Sequence, residues 1–239
     1  MSESNTDKDY SALPVASQIL FEDNHIIVIN KLPSQIVQGD KTGDRPLSDL
    51  VAEYLRLRWN KPGDAFIGVV HRLDRPVSGA IMFAKTSKAL SRLNEMLKQH
   101  EWQKKYWAVV KNPPPSPEGI LIDYLRRDEA KNKSFVVRTK TGNAQLAELS
   151  YKLLAKSDNY FLLEVDLKTG RHHQIRAQLS AMGCPIKGDL KYGFARSNPD
   201  GSIHLHARQI EFIHPVRKEP VSVIATPPDD AVWNHFASR

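Results

Sequence analysis

Apolar and polar residues change their spacing several times along this chain, and each change marks an expected element. Residues 19–31 hold two apolar runs broken at Asp23-Asn24, the pattern of a β-hairpin. From Leu47 to Trp59, Leu50, Val51, Tyr54 and Leu55 recur at helical spacing. Thr86-Ser87 is placed to cap a helix running to about Lys98, with Ala89, Leu90, Leu93, Met96 and Leu97 on its buried face. Residues 104–111 read as a strand, with Tyr106, Ala108 and Val110 on one face and Trp107 and Val109 on the other. Further strands are expected over 119–125, 134–138, 144–155 and 160–167, then a helix over 171–182, then strands over 204–213 and 221–225.

Strands in runs with few intercalated helices point to an α+β fold rather than alternating α/β units. The proline-rich segment 112–119 reads as a short connection between subdomains. Residues 1–16 are polar and aperiodic and are expected to form a flexible tail.

Composition narrows the class. A chain of 239 residues has room for one domain, or for two packed halves with a substantial core. A formal charge of +7 favours a polyanionic partner. No apolar run approaches the roughly 18–20 residues of a membrane span, and the N-terminus lacks the basic and apolar regions of a signal peptide. A cytoplasmic location is expected. The single cysteine, Cys184, excludes an internal disulfide. It lies in a helix-ending turn with no evident cationic neighbour to make a thiolate, so a structural role is expected.

Three strings carry candidate chemistry. His71-Arg72-Leu73-Asp74-Arg75-Pro76-Val77-Ser78-Gly79 lies between apolar runs, at an expected turn between strands. It sets a carboxylate between cationic side chains, which favours its ionised form; a solvated, salt-bridged turn would look the same. Lys104-Lys105-Tyr106-Trp107 is either a half-buried aromatic strand or a stacking surface with a phenol. In Thr169-Gly170-Arg171-His172-His173-Gln174-Ile175-Arg176 a strand ends and a helix begins, which leaves N–H groups that favour an anion. His172, His173, His204, His206 and His214 lack Cys or carboxylate partners at ligand spacing, so no metal site is expected. Arg126, Arg127, Lys131, Lys133, Arg138 and Lys140 form a basic stretch in an expected hairpin, either solvated surface or a phosphate contact.

In order and spacing these strings resemble the RluA-type pseudouridine synthases, from about residue 18 to 225. The first matches the family's HRLD loop, with Val77 where Thr is usual; the resemblance implies that Asp74 is the nucleophile. Lys104 and Tyr106 match a K-x-Y strand whose Tyr lies beside the substrate base. The third string matches TGR, Thr or Ser, then HQIR, with His172 in place of the hydroxyl residue. Arg176 then corresponds to the arginine that pairs with the catalytic Asp, and Ile175 to the apolar residue beneath the base. Residues 183–193 look like G-x-P-I-x-G-D-x-x-Y-G, His204 to Ala207 and His214-Pro215 like later family motifs, and Asn30-Lys31, with Pro33 after an intervening Leu32, like N-K-P.

The resemblance implies a pseudouridine synthase fold: a mostly antiparallel central sheet in two packed halves, flanking helices and a basic cleft. Residues 17–239 are expected to be one catalytic domain without a separate S4-type RNA-binding domain. The implied catalytic residues are Asp74, Tyr106 and Arg176. His71, Arg72, Arg75, Lys104, Arg171, His173 and Ile175 are expected to contact RNA. Isomerising uridine transfers no hydride and loses no group, so no cofactor or metal is required. The ionised carboxylate meets positive charge developing at C1′, the target base must be flipped out, and Arg72 is expected to fill the space it leaves or to hold the distorted backbone. Tyr106 is a candidate to remove the C5 proton, directly or through water. The expected partner is a tRNA or rRNA stem-loop bound by a monomer. The alternatives are an RNA-binding folding helper on the same fold and a metal-dependent nuclease or phosphatase, the latter disfavoured by the lack of clustered carboxylates.

Overall fold

The computed structural model describes residues 13–60 and 62–237. Its frame is one eleven-stranded mixed sheet. The strands are β1 (Ile19–Glu22), β2 (Ile26–Lys31), β3 (Gly68–Val69), β4 (Ser78–Ala84), β5 (Gln103–Val110), β6 (Glu118–Asp128), β7 (Lys133–Val137), β8 (Gln145–Lys156), β9 (Phe161–Leu167), β10 (Leu205–Ile213) and β11 (Pro220–Ile224). Their order is β1-β2-β4-β10-β5-β9-β8-β6-β7, with β11 beside β10 and β3 beside β4. Only β4 and β10 pair in parallel. The helices are α1 (Leu47–Arg58), α2 (Ser87–Lys98), α3 (Gln174–Ala181) and α4 (Ala231–Ala237).

The sheet runs unbroken through both expected halves, because β5 pairs with β9 along its length. The proline-rich segment is therefore a connection within one sheet, not a seam between separately folded parts. Of the expected tail, residues 1–12 lie outside the described residues; Val15 is buried in the main core, with Leu13 and Ala16 packed against it.

β2 and β4 read as continuous apolar runs because both of their faces are covered. Ile27, Ile29, Ile81 and Phe83 enter the main core with Val51, Tyr54 and Leu55 of α1. The alternate residues Ile26, Val28, Ala80 and Met82 meet Ala89, Leu93 and Met96 of α2. The Thr86 side chain caps α2 by accepting the Ala89 N–H at 3.1 Å. The face of β5 turned away from Tyr106 is covered by α4, where Trp233 and Phe236 meet Val109 and Leu162. The sequence patterns gave no helix there.

One glycine is fixed by the parallel pairing. Gly79 has φ +116° and lies opposite Ala207, and a Cβ here would collide with the Ala207 backbone. This close approach sets the loop that ends at Gly79 directly against β10.

Candidate active site

The loop between β3 and β4 is pinned by backbone. Val77 N–H donates to Asp74 O at 3.0 Å, Ser34 N–H to Arg75 O at 2.9 Å, and Ile203 N–H to Pro76 O at 3.1 Å. Beneath it lies Lys31, wholly buried, whose Nζ donates to the carbonyls of Val77 (2.6 Å), Leu32 (3.0 Å) and Arg75 (3.1 Å). Burial pulls the Lys31 ammonium down to about 7, against the attraction of Asp74. Val77 is buried in the main core, so the methyl in place of a hydroxyl leaves no polar atom without a partner.

Asp74 leaves this loop with its side chain 30% exposed. Its Oδ2 accepts Arg176 Nη1 at 2.9 Å and faces His173 Nε2 at 3.4 Å. Arg176, from the first turn of α3, is buried and spends its other edge on Asp189, Nε to Oδ2 at 2.7 Å and Nη2 to Oδ1 at 2.9 Å. Burial works against the Arg176 charge, but Asp189 and then Asp74 outweigh it and raise its pKa. The guanidinium also sits 5.0 Å from the centre of the Tyr192 ring.

His173 has φ +53° and forms the entry to α3, which starts at Gln174 rather than at Arg171 as expected. The turn satisfies much of its own backbone, since Gln174 Oε1 accepts the Arg171 N–H and Gln174 N–H donates to Arg171 O. It is thus less open to an anion than the sequence suggested. Burial pushes His173 down to about 3 despite Asp74, so its imidazole is neutral. Its Nδ1 lies 3.0 Å from the Tyr192 hydroxyl. The Tyr192 hydroxyl also reaches Ser134 O, at 3.2 Å, and has one proton for that carbonyl and Nδ1 together. Arg176 Nη1 is the hydrogen-bond donor on Oδ2, His173 Nε2 stands farther off at 3.4 Å, and Oδ1 has no donor among the described residues.

Tyr106 and Ile175 are both buried and share a core cluster with Leu73 and Val77 of the loop. Burial, and then the Asp74 charge, raise the Tyr106 pKa, so the phenol keeps its proton. Lys104, on the same face of β5, makes no ion pair among the described residues, and its Nζ comes close to Gly170. Arg72 is exposed.

The structure therefore brings Asp74, Arg176, His173, Tyr106 and Ile175 together. Other residues expected at RNA make contacts within the protein. His71 turns inward, accepts the Met82 N–H at 3.0 Å and lies edge-on to Trp102. Arg75 pairs with Asp44 at 2.6 Å and donates to Thr42 at 2.8 Å, which ties it to the loop over 38–44. Arg171 donates to Leu146 O at 2.9 Å. The sequence reading assigned no role to Lys31, Asp189 or Tyr192, although all three stood inside quoted motifs. Among the described residues no three His, Cys, Asp or Glu side chains converge to hold a metal ion.

Residues 25–181 match the profile of the family described as RNA pseudouridylate synthase, a span that includes Asp74, Tyr106 and Arg176. The chain belongs to that family. An uncharacterized RNA pseudouridine synthase of Synechocystis is 33% identical over 92% of this chain and 68% of its own length. The tRNA pseudouridine synthase C of Vibrio parahaemolyticus is 29% identical over 95% and 96% of the two chains. A ribosomal large subunit pseudouridine synthase D of Xylella fastidiosa is 33% identical over 89% of this chain and 66% of its own. The solved structure of human RNA pseudouridylate synthase domain containing 4 superposes with a TM-score of 0.76 at 23% identity, covering 93% of each chain, and shows the same fold. As a pseudouridine synthase, the protein is an isomerase that acts on RNA.

Proposed function

We propose that this protein converts a uridine in a folded tRNA or rRNA to pseudouridine, with Asp74 as the nucleophile. One observation carries the assignment. Asp74 Oδ2 is held by Arg176 and faced by His173, while Oδ1 has no donor among the described residues and belongs to a side chain open to the site. A carboxylate fixed by one oxygen and free at the other is organised to meet C1′ of a ribose.

Oδ1 bonds to C1′ as the N1–C1′ bond breaks, and the pair from that bond leaves with uracil. The base turns, C5 bonds to C1′, and the carboxylate departs. The C5 proton is then lost to a base while N1 takes up a proton. Because the Tyr106 phenol stays protonated, it serves better as the surface beside uracil than as that base, and the released Asp74 carboxylate, already beside C1′, is the acceptor. If a glycal forms first, the same oxygen takes the ribose proton.

The flipped base would rest against Tyr106 and Ile175. Exposed Arg72 and the unpaired Lys104 supply cations beside it, and the β6–β7 hairpin adds Arg126, Arg127, Lys131 and Lys133 for phosphates. Residues 17–239 act as one catalytic domain and as a monomer. No helix among the described residues is long and apolar enough to cross a membrane. The free, buried Cys184 fits a reducing compartment such as the cytoplasm.

Relatives named for tRNA and for large-subunit rRNA match with similar strength, so both RNAs belong in the test. Unmodified transcripts of each are incubated with the protein, and pseudouridines are mapped by carbodiimide labelling and primer extension. A new stop in either transcript assigns the substrate class. RNA binding without any stop favours a folding helper instead.

A further inference from the structure

His172 stands where the resembled family carries Thr or Ser, and it is fully occupied. Its Nδ1 meets Ser134 Oγ at 3.0 Å and its Nε2 meets Asn132 Oδ1 at 3.1 Å. Its ring stacks on His173, centroids 3.8 Å apart and planes 23° from parallel. Ser134 is buried on β7, and its N–H donates to the Tyr192 hydroxyl at 2.8 Å. Asn132 closes the β6–β7 turn with φ +44°, and its carbonyl accepts Lys191 Nζ at 3.1 Å. A continuous set of contacts thus runs from the hairpin through His172 and Tyr192 to His173, which faces Asp74 Oδ2. A Thr or Ser at 172 has one hydroxyl and no ring. It is too short to span Ser134 and Asn132 together, and it gives His173 nothing to stack on.

The hairpin that His172 holds carries Arg126, Arg127, Lys131 and Lys133, beside Asp128 and Glu129. Cations of that kind grip phosphates and set the register of the bound RNA, but only as firmly as the element that carries them is held. That firmness has to come from what anchors the hairpin.

We propose that His172 is a positioning residue that clasps the basic β6–β7 hairpin to the partners of Asp74, so that RNA held by the hairpin arrives in register with the nucleophile. The proposal rests on the pseudouridine synthase reading above. It places the clasp in the chemical step and not in affinity, because the hairpin keeps all its cations when the clasp is lost.

The test is single-turnover pseudouridine formation together with RNA affinity, on an RNA the wild-type protein modifies. The variants are His172→Thr, Asn132→Gly and Asn132→Asp. Glycine tolerates the positive φ at 132, so Asn132→Gly removes the acceptor without straining the turn. His172→Thr and Asn132→Gly are each expected to slow the rate constant about tenfold, as for a small loss of alignment, with Kd within about twofold of wild type. Asn132→Asp keeps an acceptor for Nε2–H and is expected to retain the rate. Wild-type rates in both His172→Thr and Asn132→Gly, or a loss confined to Kd, would overturn the clasp. A wild-type protein that forms no pseudouridine in any RNA would instead overturn the reading beneath it.

Discussion

Asp189 holds Arg176 through two parallel hydrogen bonds, at 2.7 and 2.9 Å, and leaves it one nitrogen for Asp74. A guanidinium free to choose would take Asp74 by both carboxylate oxygens, the favoured fork geometry. Occupation of that edge by Asp189 limits Asp74 to a single bond from Arg176. Asp189 therefore sets both the position of the cation and the freedom of Oδ1.

Removing Asp189 strands a buried charge. Asp189→Ala is expected to cost about 3–5 kcal/mol, the range for breaking one side of a buried pair, seen as a fall in thermal midpoint. The guanidinium is then free to chelate Asp74, so activity in the remaining folded protein should fall at least tenfold. Wild-type stability and rate together would contradict the assignment.

Lys31 is the second hidden support. Lys31→Met leaves the Val77 carbonyl without its donor, at about 1–3 kcal/mol for a buried group left unpaired, while Arg75 O keeps the Ser34 N–H. The loop carrying Asp74 loses its underside, and both midpoint and rate constant should drop. An unchanged rate at saturating RNA would show that the loop holds its shape without the ammonium.

Gly79→Ala tests the close approach of β4 to β10. The added methyl meets the Ala207 backbone at a φ that L side chains rarely adopt. A destabilisation of at least about 1–3 kcal/mol is expected from the backbone conformation alone, measured by denaturant unfolding. A neutral substitution would place the two strands farther apart than described.

Much of this was legible in the sequence, for identifiable reasons. The α2 helix announced itself through the Thr86 cap and its apolar spacing, and β5 through a short apolar run bounded by lysines; both signals are local. Asp74, Tyr106, Arg176 and Ile175 were found through motif order and do meet. The insertion of β10 between β4 and β5 was not legible, because pairing between distant segments leaves no local period. Nor were the partners of charged residues. The sequence did not show that Arg75 pairs with Asp44, or that His71 accepts the Met82 N–H. Asp189 and Lys31 are polar residues in a core, where burial is decided by neighbours far along the chain.

Four histidines, with His173, His204 and His206 buried and His71 half-buried, give the stability a definite pH dependence. Burial pushes His71 and His173 down to about 3, and His204 and His206 to about 4, against about 6.5 in an unfolded chain. Between those values the unfolded state binds more protons than the folded one. The stability they contribute is complete above about pH 6.5 and is lost as pH falls through the window, at up to about 1.4 kcal/mol per pH unit for each histidine. The thermal midpoint should fall steadily from pH 7 to pH 5. A flat profile over that range would mean that these side chains titrate normally in the fold.

The most direct measurement is tritium release from RNA carrying [5-³H]uridine, comparing wild type with Asp74→Ala, without added metal or cofactor. Release by the wild-type protein and none by Asp74→Ala, with RNA binding kept in both, is the expected result. Release at a wild-type rate by Asp74→Ala would contradict the role of Asp74, whatever the RNA.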